Sequence, residues 1–488
     1  MQPTEAIING EAIKTVSATE LRNKLILDMR KLLIITLLAL GSTLFAQNTK
    51  NLTEDVVNSI RDNYKQKSEA DKGIRNALSN NDIRSLAVNR DVVGKADHQF
   101  KYKADVKGIC DQKSSGRCWM FTGLSSLRPQ IIKDKELGGF EFSQNYLYFW
   151  DMFEKSNLFL EIILQNADKP LDDRTNEWAL HNPIGDGGVW NSFANLVEKY
   201  GLVPNTVMPE TYHSNNTSWL NQLLSRKLRE DAMQLRDAKA QKLAPKKIDE
   251  MKFNMLCEVY RYLVLFLGEP PTEFKYRFEK EEAYKDYTPM SFFKEFFPNY
   301  KTSDYVMLMN DPSREYNKVY EIEFDRNVLE GKNWLYVNLP ADELKKAALA
   351  SLKDKEPLYS SCDVSKFLSK NDGTLDVNNF DFESLLGMKF GMDKATRIKT
   401  FDSGSSHAML LVAVDVDDKD VPTKWQFENS WGASYGHNGY LTFTDEWFNE
   451  YMFRIVVNKK YLSGDVKKVL DQKPIVLPPW DPMFAPEN

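Results

Sequence analysis

The period of the apolar residues changes along this chain, and any fold it adopts must accommodate that change. From Cys118 to Glu136 they recur at helical spacing, at Trp119, Leu124, Leu127, Ile131 and Ile132. "FSQNYLYFWDMFEKSNLFLEIIL", residues 142–164, predicts a second, aromatic-rich helix whose rings belong in a core. Residues 218–265 are strongly helical, and the basic excess between Arg226 and Lys252 reads as a solvated helix face. From residue 300 to 340 the pattern becomes strand-like, in "YVMLMN", "YEIEF" and "NWLYVNLP". Further on, "HAMLLVAVDVD" (407–417) predicts an apolar strand, and "KWQFENSWG" (424–432) a second strand that breaks into a loop at Asn429. "GYLTFTDEWFNEYMFRIVV" (439–457) reads as strand, helix, strand. With 488 residues the chain holds two or three domains, or one large domain with insertions.

The N-terminal part carries a different signal. "MRKLLIITLLALGSTLFAQN" starts at Met29 with two basic residues, Arg30 and Lys31, followed by an apolar run from Leu32 to near Ala46. That is the order of a secretory signal peptide. The run is short for a membrane span, which takes about 20 residues. Translation is therefore expected to begin at Met29 and the mature protein near Gln47, exported and soluble. The competing expectations are an uncleaved anchor and a cytoplasmic chain. Residues 1–46 are set aside as N-terminal extension and signal peptide.

A net charge of −6 argues against nucleic acid as the main partner, since phosphate binding needs a basic face. Four cysteines in so long a chain, Cys110, Cys118, Cys257 and Cys362, are no disulfide framework, and no C-x-x-C pair suggests zinc. The setting of Cys118 is unusual. "CDQKSSGRCWMFT" (110–122) places it before Trp119, six residues after Gln112, at the start of a predicted helix. Only the thiolate attacks, and a helix N-terminus and a histidine partner both favour it. Of the five histidines, His98, His181 and His213 lie in polar loops and His437 in the turn "SYGHNGY", all expected at the surface. His407 opens the buried strand. Asn429, 22 residues later, can accept a hydrogen bond from imidazole and so fix its tautomer. Gln112 can reach the same oxyanion as the Cys118 backbone N–H. Gln, Cys, His and Asn thus occur in the order that acyl transfer through a thioester would use.

Gln-x5-Cys-Trp, Ser-His-Ala and Asn-Ser-Trp-Gly together resemble the papain-like cysteine peptidases. "QKSSGRCW", "SQNYLYFWDMFEKSN", "GDGGVW", "VMPETY", "SSCDVSKF", "GMKFGMDKA" and "LPPWDP" resemble more narrowly the bleomycin hydrolase / aminopeptidase C branch, from about residue 50 to 488. The resemblance implies an α+β, papain-like two-lobed fold over residues 47–488, with a large helical insertion at about 212–355 and a C-terminal arm at about 474–488. It implies a cysteine-type aminopeptidase; the alternatives are an endopeptidase or a catalytically silent binding protein on the same fold. Cys118 would be the nucleophile, His407 the base and then acid, Asn429 its orienting partner and Gln112 an oxyanion donor. Gly187 and Gly188 would pair with the substrate backbone. The terminal carboxylate of Asn488 would meet the free amine of a peptide substrate. A homohexamer and no metal or organic cofactor are implied. Three departures stand out. Ser115 and Gly185 occupy the positions of a disulfide found in secreted papains. The Cys118–His407 separation of 289 residues exceeds the roughly 130–150 of simple papains. The chain ends "FAPEN" instead of in glycine and small residues, although its prolines still predict a stiff, extended arm that docks through Trp480, Met483 and Phe484.

Overall fold

The computed structural model describes residues 7–8, 11–12, 51–65 and 69–484. The segment 29–46, expected to be a signal peptide, and Asn488 lie outside the described residues. The chain divides into two units, residues 1–86 and 87–488. In the first, a helix spans Glu54–Lys65, with spaced apolar residues at Val56, Val57 and Ile60, and another spans Lys72–Asn80. Among the described residues no helix is long and apolar enough to cross a membrane.

The second unit combines a helical layer with one large mixed sheet. Helix α1 (Cys118–Asp134) is buried on nearly every side. It approaches α3 (Trp190–Tyr200) closely at Gly123, where a Cβ would come within 2.5 Å of the Phe193 ring. Between them in sequence, α2 (Gln144–Gln165) is capped by Ser143, whose side chain accepts the Tyr146 N–H. Two long helices, α4 (Ser218–Ala240) and α5 (Pro245–Leu267), pack on α2 through Leu220, Leu224, Leu228, Val259 and Leu263.

The stretch expected as a helical insertion is helical only in part. Beyond α5 it contributes β1 (Tyr305–Met309), β2 (Lys318–Ile322) and β3 (Leu335–Asn338) to the sheet, then α6 (Ala341–Lys353). The reason is the period-two burial of β1. Met307 and Met309 join the core shared with the helices, while Val306 and Leu308 join the core on the other face. The remaining strands are β4 (Leu358–Cys362), β5 (His407–Val416), β6 (Pro422–Glu428), β7 (Tyr440–Thr444), β8 (Met452–Asn458) and β9 (Ile475–Leu477). From β7 the order runs β7-β6-β5-β4-β8-β1-β3-β2-β9 within a 12-stranded sheet. Strand β9 pairs in parallel with β2, so the arm that its prolines stiffen is an edge strand before it turns at Pro478.

The continuous apolar run of β5, buried on both faces, puts it mid-sheet, between β4 and β6. Its first residue is His407, and α1 packs on it from the helical layer. One sheet strand and one buried helix thereby bring together two segments that are distant in sequence.

Candidate active site

Cys118 is the first residue of α1, so its sulfur sits where the helix presents unpaired backbone N–H groups. Its Sγ accepts the backbone N–H of Ala408 at 3.4 Å, which places the thiol beside the first residue of β5. His407 Nε2 is 2.8 Å from Asn429 Oδ1. That oxygen also accepts the Ser430 N–H at 2.8 Å. Asn429 Oδ1 is an acceptor only, so the ring carries its proton on Nε2 and keeps the Nδ1 lone pair free. Trp431 covers this bond, its ring 4.7 Å from the imidazole. Cys118, His407 and Asn429 are all buried. Burial pushes the thiol up to about 11, although the Ala408 and Trp119 N–H groups oppose this, and pushes the imidazole down to about 4 against the Asn429 bond. Each charge alone is costly in so dry a site. Proton transfer from thiol to ring creates the two charges together, and their attraction offsets that cost.

Gln112 is held on three sides. Its backbone N–H bonds Ser430 O at 2.8 Å, Ser430 Oγ donates to its Oε1 at 2.6 Å, and one amide hydrogen goes to Ser115 O at 2.6 Å. The second amide hydrogen is left for another acceptor. Ser430 thus ties the loop that precedes the cysteine to the loop that bears Asn429. Sequence reasoning gave Ser430 no role, although it lies inside the Asn-Ser-Trp-Gly motif. The same two loops are also joined by Gly432 N–H to Cys110 O at 3.1 Å.

The glycine-rich loop is clamped from below. Asp186 accepts the Gly116 N–H at 2.7 Å and the Thr217 hydroxyl, and its carbonyl accepts the Trp119 indole N–H at 2.8 Å. Lys155 bonds the carbonyls of Gly185 and Gly187 at 2.9 and 2.6 Å. The two glycines differ. A Cβ on Gly188 would come within 2.6 Å of the Trp119 ring, so packing requires that glycine. A Cβ on Gly187 would meet nothing within 4 Å, so this residue borders open space. Trp119 is fully buried and acts as a packing element.

Two ion pairs made by buried arginines hold the cysteine segment. Arg117, fully buried, makes a two-pronged bond to Glu210 at 3.1 and 2.7 Å and stacks on Phe121 and Tyr148. Arg128, ten residues along α1 from Cys118, bonds Glu428 at 2.6 Å, with both side chains nearly inaccessible. Glu428 ends β6 and immediately precedes Asn429. Arg128 also donates to Gly108 O and approaches Cys110 Sγ. This pair therefore links the helix of the thiol to the strand of the asparagine. Nothing local in the sequence marks Arg128 and Glu428, 300 positions apart, as neighbours.

Of the other histidines expected at the surface, His437 is exposed, while His98 and His213 are half-buried. His98 is half-buried and stacks on His437, ring centres 3.8 Å apart, and His213 packs edge-on against Phe266. His181 is exposed. All four cysteines are free thiols, with Cys257 exposed and the others buried. Among the described residues no group of three or more His, Cys, Asp or Glu is gathered as a metal site needs. The arm docks by Trp480 under Arg174, by an ion pair between Asp481 and Arg314, and by Phe484 edge-on against Trp334.

The Peptidase C1-like family model matches residues 51–484. Bleomycin hydrolase of Homo sapiens is 38% identical over 425 residues, 84% of this chain and 93% of that protein. Aminopeptidase C of Lactobacillus delbrueckii subsp. lactis is 39% identical over 398 residues, 80% of this chain and 88% of that protein. Among solved structures, PepW from Lactobacillus rhamnosis HN001 aligns with a TM-score of 0.85 and 38% identity, over 90% of this chain and 99% of that one.

Proposed function

Since the chain belongs to the Peptidase C1-like family, we propose that it is a papain-like cysteine aminopeptidase that removes residues from the free amino end of peptides through a Cys118 thioester. The observation that carries the reading is the pair of contacts at the head of β5: Ala408 N–H on Cys118 Sγ, and His407 bound through Nε2 to Asn429. They leave Nδ1 as the only ring nitrogen able to take the thiol proton.

In the first half-reaction His407 Nδ1 takes that proton and the sulfur attacks the scissile carbonyl carbon. The negative oxygen of the tetrahedral adduct is met by the Cys118 backbone N–H and the second amide hydrogen of Gln112. The adduct collapses to a thioester as the leaving amine takes the proton from His407. Water, deprotonated by the same nitrogen, then attacks the thioester; the acid leaves and the thiol is reprotonated. Asn429 holds the ring throughout and stays neutral. Gly187, beside open space, pairs with the substrate backbone, and Gly188 gives the loop its close seat on Trp119.

Selectivity for free amines is assigned to the arm, whose terminal carboxylate at Asn488 would meet the substrate ammonium. Docking of the arm up to Phe484 supports this. A homohexamer is the proposed assembly. The exposed Tyr212, Trp219, Phe253 and Leu265 on and beside α4 and α5 supply apolar surface that a partner copy would cover. Export through residues 29–46 is the proposed localisation.

The test is hydrolysis of dipeptide amides with free and acetylated amino ends. Turnover should be lost in Cys118→Ala and kept in Cys110→Ala, Cys257→Ala and Cys362→Ala. Deleting residues 484–488 should lower the preference for free amines. Parental activity in Cys118→Ala would refute the mechanism, and an unchanged preference in the truncated enzyme would refute the role of the arm.

A further inference from the structure

We propose that the cavity beside α3 is a second, non-catalytic site for short peptides, a choice of occupant that rests on the peptidase reading. The cavity has a volume of about 560 Å³, within the range of about 300–1,000 Å³ usual for small-ligand sites. Neither the set of Cys118, His407, Asn429 and Gln112 nor Gly187 and Gly188 line it. One wall is a face of α3, at Trp190, Asn191, Ala194, Asn195 and Glu198. That spacing is one stripe of a helix. Phe193, off the stripe, packs on Gly123 of α1 instead. Met307, Leu335 and Leu470 add apolar surface to the cavity.

One buried group in this wall is incomplete. Asn191 is 8% exposed. Its amide hydrogens go to Asp325 O at 3.0 Å and Lys332 O at 3.2 Å, which fixes Oδ1 as an acceptor. Oδ1 has no partner among the described residues. Buried acceptors are normally satisfied, so whatever fills the cavity has a donor to offer.

The charged lining narrows the occupant further. Glu198, Glu321, Lys332 and Lys459 all line the cavity, and among the described residues none of the four makes an ion pair. Glu198 accepts the Thr302 hydroxyl, and Lys459 donates to Ser303 O at 2.7 Å, so these two stand at one end. Lys332 bonds Asn191 through its carbonyl, and Asn333 donates to Glu321 at 2.8 Å, so Lys332 and Glu321 stand at the other. A simple anion would meet both carboxylates, and a simple cation both lysines. A molecule that carries an ammonium, a carboxylate and an apolar body suits all of them. Asn191 and Glu198 are separated by two turns of α3, about 10 Å. An extended chain advances about 3.3–3.6 Å per residue, so a tripeptide spans that distance. Its ammonium belongs with Asn191 Oδ1 and Glu321, and its carboxylate with Lys459. The peptidase reading supplies such molecules, because each cleavage shortens a peptide and leaves it with both charged ends.

The tripeptide Ala-Leu-Ala is titrated calorimetrically into the full-length Cys118→Ala chain and into the same chain carrying Lys459→Met or Glu321→Gln. Apart from binding in the cleft, one event should weaken about fivefold or more with each substitution. It should be absent for acetyl-Ala-Leu-Ala amide, which has neither charge. The absence of any event that both substitutions weaken, or its persistence with the blocked peptide, would overturn the proposal. Thermal unfolding checks that each variant folds, and Glu198→Gln or Lys332→Met replaces one that does not, under the same criteria. Cleavage of Ala-Leu-Ala by the parent, measured against Cys118→Ala, tests the peptidase reading on its own: turnover that survives the substitution refutes that reading and leaves the binding result to be judged separately.

Discussion

Glu428→Gln is the substitution whose consequences can be worked furthest. It leaves Arg128, 2% exposed, without the carboxylate 2.6 Å away. Breaking one partner of such a buried pair costs about 3–5 kcal/mol. That is a large share of the roughly 5–15 kcal/mol that holds a domain folded. The double variant Arg128→Met/Glu428→Met removes both charges and should recover most of the loss, because an apolar pair of similar volume avoids the desolvation cost. Recovery should fall short by about 1–3 kcal/mol, since Gly108 O loses the Arg128 donor that bonds it at 2.9 Å. Urea unfolding followed by tryptophan fluorescence measures these differences. Because Glu428 precedes Asn429 and Arg128 shares α1 with Cys118, kcat on a free-amine dipeptide amide should stay depressed in the double variant after stability has returned. A Glu428→Gln protein as stable as its parent would refute the argument. Full recovery of kcat together with stability would reduce the pair to a structural role.

Two further outcomes are expected. Ser430→Ala frees Gln112 Oε1 and should lower kcat with little change in KM, by less than the roughly 10²–10³ expected for Gln112→Ala; a loss confined to KM would contradict this role. Cys118 and His407 titrate as a pair, so activity should hold between about 4 and about 11, with an acid limb well below the ordinary histidine range near 6.5. The folded pKa of His407 is depressed, so its contribution to stability is complete above 6.5 and is lost as pH falls from 6.5 towards 4. An acid limb at 6.5 in the profile of kcat/KM against pH would show that the ring is solvated.

Much of this protein is legible in one dimension because the relevant signals are local. Helical spacing after Cys118 marked α1 and its N-terminus, and an unbroken apolar run marked β5 with His407 at its head. The break after Glu428 marked the loop of Asn429, because period and turn chemistry act over a few residues. What tertiary structure alone decided concerns partners distant in sequence. The stretch after α5 left the helical layer for the sheet because its alternating faces found two cores to fill. The arm became a strand only because β2 offered an edge. Ser430 acquired its hold on Gln112, and Arg128 its glutamate, by closure of a chain segment of some 300 residues. A sequence records which side chains carry charge or a hydrogen-bonding group. Whether a buried arginine meets a carboxylate, as Arg128 does, or a serine, as Arg454 does, is set by the packing around it.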